Sequence, residues 1–344
     1  MAEVLLARQH GPLGLQRLVA VKRVLPQFAA RPEYAAMLWA EARACARLHH
    51  PNLVQTYEVG TDAEGRAFVV MEYVRGPDLK RLQKELSRRG RVLPLEHALR
   101  VGAEAAAGLH AAHASVDAGG APLRLVHRDV SPHNLLVSLD GAVKLTDFGI
   151  AEAGSAEERA ATAGLASGVR GKVSYLSPEA ACGLPVDARS DVFSLGVVLF
   201  ELLTGTLPFR RAQDVETLTA IVREPAPHPS LVRPGVPPDV ADLVLRALVK
   251  DPARRTPTAG ALVEGLEGAL ARHHLASSPR AVASWLQEEL GEALRAFAPD
   301  FTPAGAGPAP VDAAEEVTPE HCPRPRKPRE DEDTVDLLPF RVER

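Results

Sequence analysis

The first quarter of the chain alternates apolar and polar positions. This pattern marks strands at Glu3–Ala7 and Leu18–Val24, joined by a turn containing Gly11-Pro12 and Gly14. An Ala-rich segment, Glu33–Leu48, reads as a helix that halts before His50-Pro51. Val54–Val59 and Arg66–Tyr73 then form a predicted hairpin across Thr61–Gly65. From Asp78 the apolar spacing lengthens to three and four residues. It predicts helices over Asp78–Leu86, His97–Ala114, Val192–Leu203, Pro238–Leu248 and Ala259–Arg272. One short hairpin interrupts them, Leu135–Ser138 with Val143–Leu145, turning at Asp140-Gly141. Ser278-Pro279 opens a further helix, as cap and first-turn proline, running to about Phe297 with Trp285 on its apolar face. Two stretches carry no such pattern. Ala151–Ser174 is Gly/Ala/Ser-rich and predicts a mobile loop, and the proline-rich, charged end predicts a disordered tail over 298–344.

Composition narrows the class. A length of 344 residues suits about two domains or lobes. With 46% hydrophobic and 24% charged residues, a packed core is within reach. The formal charge of −4 argues against a chain that coats nucleic acid or membrane. No apolar run is long enough to span a bilayer, and Arg8 and His10 interrupt the apolar start that a signal peptide would need. The cysteines Cys45, Cys182 and Cys322 lie far apart without metal spacing. They predict a reducing, cytoplasmic setting, with Cys45 and Cys182 as small core residues. His110 and His113 share a helix face without a visible third ligand, so the histidines read as structural.

The chemistry lies in an ordered set of short motifs. Val19-Ala20-Val21-Lys22 ends a strand, and Glu41 sits in the next helix. His127-Arg128-Asp129 is followed by Asn134 and then, across the hairpin, by Asp147-Phe148-Gly149. Ser177-Pro178-Glu179, Asp191–Gly196 and Asp251-Pro252-Ala253-Arg254-Arg255 complete the set. Each motif alone is weak; their order and spacing are not. Over about residues 2–270 the chain resembles the protein kinase family, in its bacterial eukaryotic-like (Hanks-type) Ser/Thr branch, in the subset with an HRDVSPxN catalytic loop.

The resemblance implies an α+β, bilobal kinase-like fold: a small antiparallel β N-lobe over 1–74 and a helical C-lobe over 75–272, with the helix opened by Ser278-Pro279 as an accessory segment over 273–297. It implies ATP and Mg²⁺ as cofactors and protein hydroxyls as acceptors. Lys22 would hold the α/β-phosphates and Glu41 would orient it, while Asp147 and Asn134 would hold metal and Asp129 would take the acceptor proton. The purine would lie under the Glu72-Tyr73-Val74 linker with Met71 behind it, between Ala20, Val4 and Leu136, and with Asp78 near the ribose. Glu179 with Arg255, and Asp191 with the catalytic-loop backbone, would be architectural. Thr162 and Ser167 are the favoured phosphosites of an activation loop whose phosphate would meet Arg128, and a dimer would serve trans-autophosphorylation.

Three departures from the family pattern stand out. Met1-Ala2-Glu3-Val4 enters the family's glycine loop near its end, so the first strand and most of that loop are missing; a start assigned too far downstream, the favoured explanation, or a truncation would account for this. Ser131 stands where the Ser/Thr branch carries a lysine. Lys172 stands where a threonine packs on the catalytic aspartate, and is expected to supply the missing charge as a catalytic residue. The rival readings are a pseudokinase scaffold and a small-molecule phosphotransferase; the catalytic loop does not read like that of tyrosine kinases.

Overall fold

The computed structural model describes residues 1–10, 15–117, 119–149, 172–291 and 293–294. Of the expected loop Ala151–Ser174, residues 151–171 with Thr162 and Ser167 lie outside the described residues, as do the side chain of Lys172 and the expected tail over 298–344; the end of that loop is instead a one-turn helix, Lys172–Tyr175.

Four antiparallel strands build the small lobe: β1 (Ala2–His10), β2 (Gln16–Val24), β3 (Thr56–Thr61) and β4 (Ala67–Glu72), in the order β1-β2-β4-β3. Alternation along β2 divides its side chains. Val19 and Val21 pack with Ala7, Phe68 and Val70 on one face, while Val24 packs on the other with Val69 and with Leu38 and Ala42 of α1 (Pro32–Cys45). Lys22 shares the α1 face, so the strand period itself aims its ammonium at the helix.

The large lobe holds one core, built from α2 (Leu79–Arg88), α3 (Leu95–His113) and the helices that follow. The short strands β5 (Leu135–Val137) and β6 (Val143–Leu145) lie against it as a hairpin. After α4 (Pro178–Ala181) comes α5 (Ala188–Thr204), buried on every side from Ser190 to Leu203, the mark of a central helix. It starts earlier than its apolar block, because Asp187 caps it by accepting from the Arg189 N–H. Asp191 therefore lies in the first turn rather than at the start. The remaining helices are α6 (Asp214–Arg223), α7 (Pro229–Val232), α8 (Pro238–Ala247), α9 (Ala259–Arg272) and α10 (Pro279–Leu290).

The α10 helix ends at Gly291 (φ 42°), short of Phe297. Its Val282, Leu286 and Leu290 are buried, and Trp285 meets the His97 ring at 5.4 Å. The Pro279 carbonyl presses on the β5–β6 turn so closely that a Cβ on Gly141 would stand 1.8 Å from it. Cys182 is exposed, not a core residue, because α4 is one turn long and ends at that position; Cys45 is half-buried. No helix among the described residues is long and apolar enough to cross a membrane.

Candidate active site

Three elements converge where the lobes meet. Lys22 on β2 donates from Nζ to Glu41 Oε1 on α1 and to Asp147 Oδ1 beyond β6, both at 2.9 Å. Burial opposes the ammonium charge, but the Asp147 and Glu41 carboxylates outweigh it and hold the Lys22 pKa above the ordinary lysine value. Burial likewise pushes Glu41 up, against the pull of Lys22. Val4 pairs with Lys22 across the β1–β2 register, on the same face as Ala20, and is 60% exposed.

Below them runs the segment His127–Asn134, tied down from underneath. Asp191 Oδ2 accepts from the His127 N–H (2.7 Å) and Oδ1 from the Arg128 N–H (2.8 Å), while His113 Nε2 lies 2.7 Å from Oδ2. Burial depresses the His127 pKa, so the ring is neutral. Its tautomer follows: Nε2–H donates to the Thr146 carbonyl (3.0 Å) and Nδ1 accepts from the Asp129 N–H (3.3 Å). Arg128 (φ 66°) and Asp147 (φ 56°) are both left-handed, and the Gly149 N–H bond to the His127 carbonyl (2.8 Å) links the two bends. Asn134 Nδ2 donates to the Asp129 carbonyl (2.8 Å) and to Asp129 Oδ2 (2.9 Å), which fixes the carboxylate and turns the Asn134 oxygen outward.

The remaining oxygens of Asp147 and Asn134 form a hard, sparse donor set. Among the described residues no three His, Cys, Asp or Glu side chains cluster to hold a metal. Two oxygen ligands fit Mg²⁺, which keeps waters and takes phosphate oxygens for the rest of its shell.

The other predicted residues fall around this centre. Met71 and Val74 are buried along the linker, and Leu136 bridges to Asp78, the residue that caps α2. The Glu72 side chain turns to Lys144 Nζ (3.0 Å) and the Gln55 N–H (3.3 Å). Glu179 and Arg255 form a bidentate pair at 2.7 and 2.9 Å. Burial works against the Glu179 charge, but the bonds from Arg255 and from Ser190 Oγ (2.6 Å) hold its carboxyl below the usual range. Ser131 is buried with Oγ unpartnered, and so is one terminal nitrogen of Arg128.

Sequence reasoning missed a second buried cluster. Tyr175 donates to Glu201 Oε2 at 2.6 Å, and Lys80 donates to Glu201 Oε1 at 2.8 Å. His113, read from sequence as a structural histidine, finds its partner in Asp191, 78 positions away, and Ser190, which bonds Glu179 through a single hydroxyl, was missed.

The protein kinase domain family model matches residues 3–264. The chain belongs to that family. It is 40% identical over 292 residues to the tyrosine-protein kinase MasK of Myxococcus xanthus, covering 85% of this chain and 44% of that one. It is 39% identical over 262 residues to the serine/threonine-protein kinase PknB of Mycobacterium tuberculosis, covering 75% and 39%. Among solved structures it resembles the PknI kinase domain of M. tuberculosis, with a TM-score of 0.55 and 28% identity over 78% of this chain and 90% of that one. The kinase fold of two lobes, β-rich and helical, thus carries all the cleft residues above. This chain spans only about two fifths of the length of these curated kinases.

Proposed function

We propose that the protein is a Ser/Thr protein kinase that moves the ATP γ-phosphoryl group to protein hydroxyls in bacterial signalling. One observation carries this reading above the others: Lys22, Glu41 and Asp147 are joined within 2.9 Å at the mouth of the same loop that holds Asp129 and Asn134. Phosphoryl transfer asks the protein mainly for alignment and charge. Val4, Ala20, Leu136 and Met71 enclose the purine, the Glu72–Val74 backbone reads its edge, and Asp78 meets the ribose. Lys22 binds the α/β-phosphates, with Glu41 as its counter-ion.

Asp147 and Asn134 would hold Mg²⁺, which neutralises the phosphate oxygens. Asp129, held by Asn134, accepts the proton as the acceptor oxygen bonds to the γ-phosphorus and the bond to the bridging oxygen of ADP breaks. Lys172 supplies the positive charge that Ser131 lacks. Phosphate on Thr162 or Ser167 would pair with Arg128, whose buried terminal nitrogen is unpartnered. Such autophosphorylation would proceed between two copies, in the cytoplasm.

A tyrosine acceptor is the second reading, favoured by the likeness to the tyrosine-protein kinase MasK. Phosphoamino-acid analysis after incubation with labelled ATP separates the two. Phosphoserine and phosphothreonine, absent with Asp129→Asn, support the proposal; phosphotyrosine alone overturns its acceptor assignment.

A further inference from the structure

The mouth of the cleft has an unexpected charge. Here α2 meets the one-turn segment Pro132–Asn134, and Lys80 reaches within 3.5 Å of Tyr175. The acids at this mouth are already engaged. Glu201 is buried under Tyr175 and Lys80. Asp78 caps α2 through the Arg81 N–H (2.8 Å) and pairs with the Arg81 side chain (3.2 Å). Glu85, two turns along, pairs with Arg88 and Arg89.

What α2 turns outward is positive. The Lys80 side chain is 35% exposed, and its ammonium gives one short bond to Glu201, leaving donor capacity for a ligand. Arg81 and Lys84 are exposed on the same helix, and His133 is exposed between Asp129 and Asn134. An acceptor segment that delivers its hydroxyl to Asp129 along the α2 side of the cleft would lie beside Lys80 and His133. A carboxylate there meets an ammonium whose own counter-ion is buried behind it. An arginine or lysine there meets like charge, and among the described residues Asp78, Glu85 and Glu201 are already paired.

Resting on the kinase reading above, we propose that Lys80 selects acceptor segments carrying Asp or Glu beside the phosphorylated residue. The chain's own stretch Glu330-Asp331-Glu332-Asp333-Thr334-Val335-Asp336 has this chemistry, with Thr334 as its acceptor. Lys80 is thus a specificity residue, set in place by the Tyr175–Glu201 pair that braces its ammonium from below.

The test compares kcat/KM for two synthetic peptides. One is the sequence of residues 330–338, and the other has Glu330, Asp331, Glu332 and Asp333 replaced by lysine. The full-length protein is expected to favour the acidic peptide by at least about tenfold. Lys80→Glu should lower that ratio or invert it while sparing the rate on the lysine peptide, and Lys80→Arg should keep it. A merely structural role would depress both peptides equally in Lys80→Glu, and that outcome overturns the proposal. So do equal kcat/KM values in the wild type. Absence of transfer to either peptide and of autophosphorylation would instead overturn the kinase reading, and this inference with it.

Discussion

Replacing Arg255 by methionine should remove more stability than any other single change in the large lobe. All five guanidinium N–H groups are used. Two reach Glu179, at 2.7 and 2.9 Å; three reach the carbonyls of Arg189 (2.7 Å), Val249 (2.9 Å) and Lys250 (3.0 Å). The Arg255 side chain is 0% exposed, so Arg255→Met fills the stem but strands a buried carboxylate that keeps only the Ser190 hydroxyl and its own backbone N–H. Breaking a buried pair from one side costs about 3–5 kcal/mol. The three carbonyls would add about 1 kcal/mol each were they to stay dry, and entering water relieves part of that. A loss of about 4–6 kcal/mol follows, or roughly 10–20 °C in Tm for a domain of this size.

The assay is urea unfolding at pH 7 beside calorimetry, with the double variant Glu179→Leu/Arg255→Met as partner. Removing both charges should cost less than removing Arg255 alone. The pH dependence has a definite sign. The folded Glu179 pKa is depressed, so its contribution is full above the unfolded value and lost as pH falls through the folded one, below the ordinary glutamate range. Arg255→Met should lack that acid limb. A loss under about 1 kcal/mol, or a double variant weaker than the single one, would refute the reasoning.

Lys250 offers the opposite experiment. Its ammonium is buried and unpartnered 3.6 Å above the Phe209 ring, and burial with Arg255 nearby lowers its pKa to about 8. The unfolded chain then binds more protons between about pH 8 and 10, so stability should rise with pH across that window and the slope should vanish in Lys250→Met. That variant should also gain about 1 kcal/mol at pH 7, the relieved burial exceeding the lost cation–π contact; a lower Tm would contradict this. Gly141→Ala should cost about 2–3 kcal/mol and raise hydrogen exchange in α10, since its Cβ meets the Pro279 carbonyl at a left-handed position (φ +82°). Unchanged exchange would show that the helix is not held there. Lys172→Ala should lower kcat by at least about tenfold, about 1.4 kcal/mol, and adding Ser131→Lys should restore part of it; a normal kcat or an additive pair of effects would remove Lys172 from the chemistry.

Much of this was legible from pattern. The small lobe's strands follow from alternation, and β6 and α9 fall on their expected bounds because turns and proline punctuate them. The α6 helix escaped because its buried stripe is only Thr217, Ala220 and Ile221, too weak to show a period. Gly291 ended α10 where the apolar spacing continued, a backbone effect that hydrophobicity does not register. The cleft residues were legible through spacing and family resemblance alone, since nothing in a local window says that Lys22 and Asp147 touch. The Lys80–Tyr175–Glu201 cluster had no signal of either kind. Its members sit in three elements, and the mutual neutralisation that sets the charge of the cleft mouth arises only on folding.

The account's central claim is that Lys22 and Asp147 bring ATP and metal to Asp129. Its most direct test is single-turnover transfer from γ-labelled ATP with Mg²⁺, comparing the wild type with Lys22→Met and Asp147→Asn after circular dichroism shows all three folded. Labelled protein should accumulate in the wild type, and both variants should fall to background. Wild-type transfer surviving in either variant with unchanged ATP dependence would contradict the account.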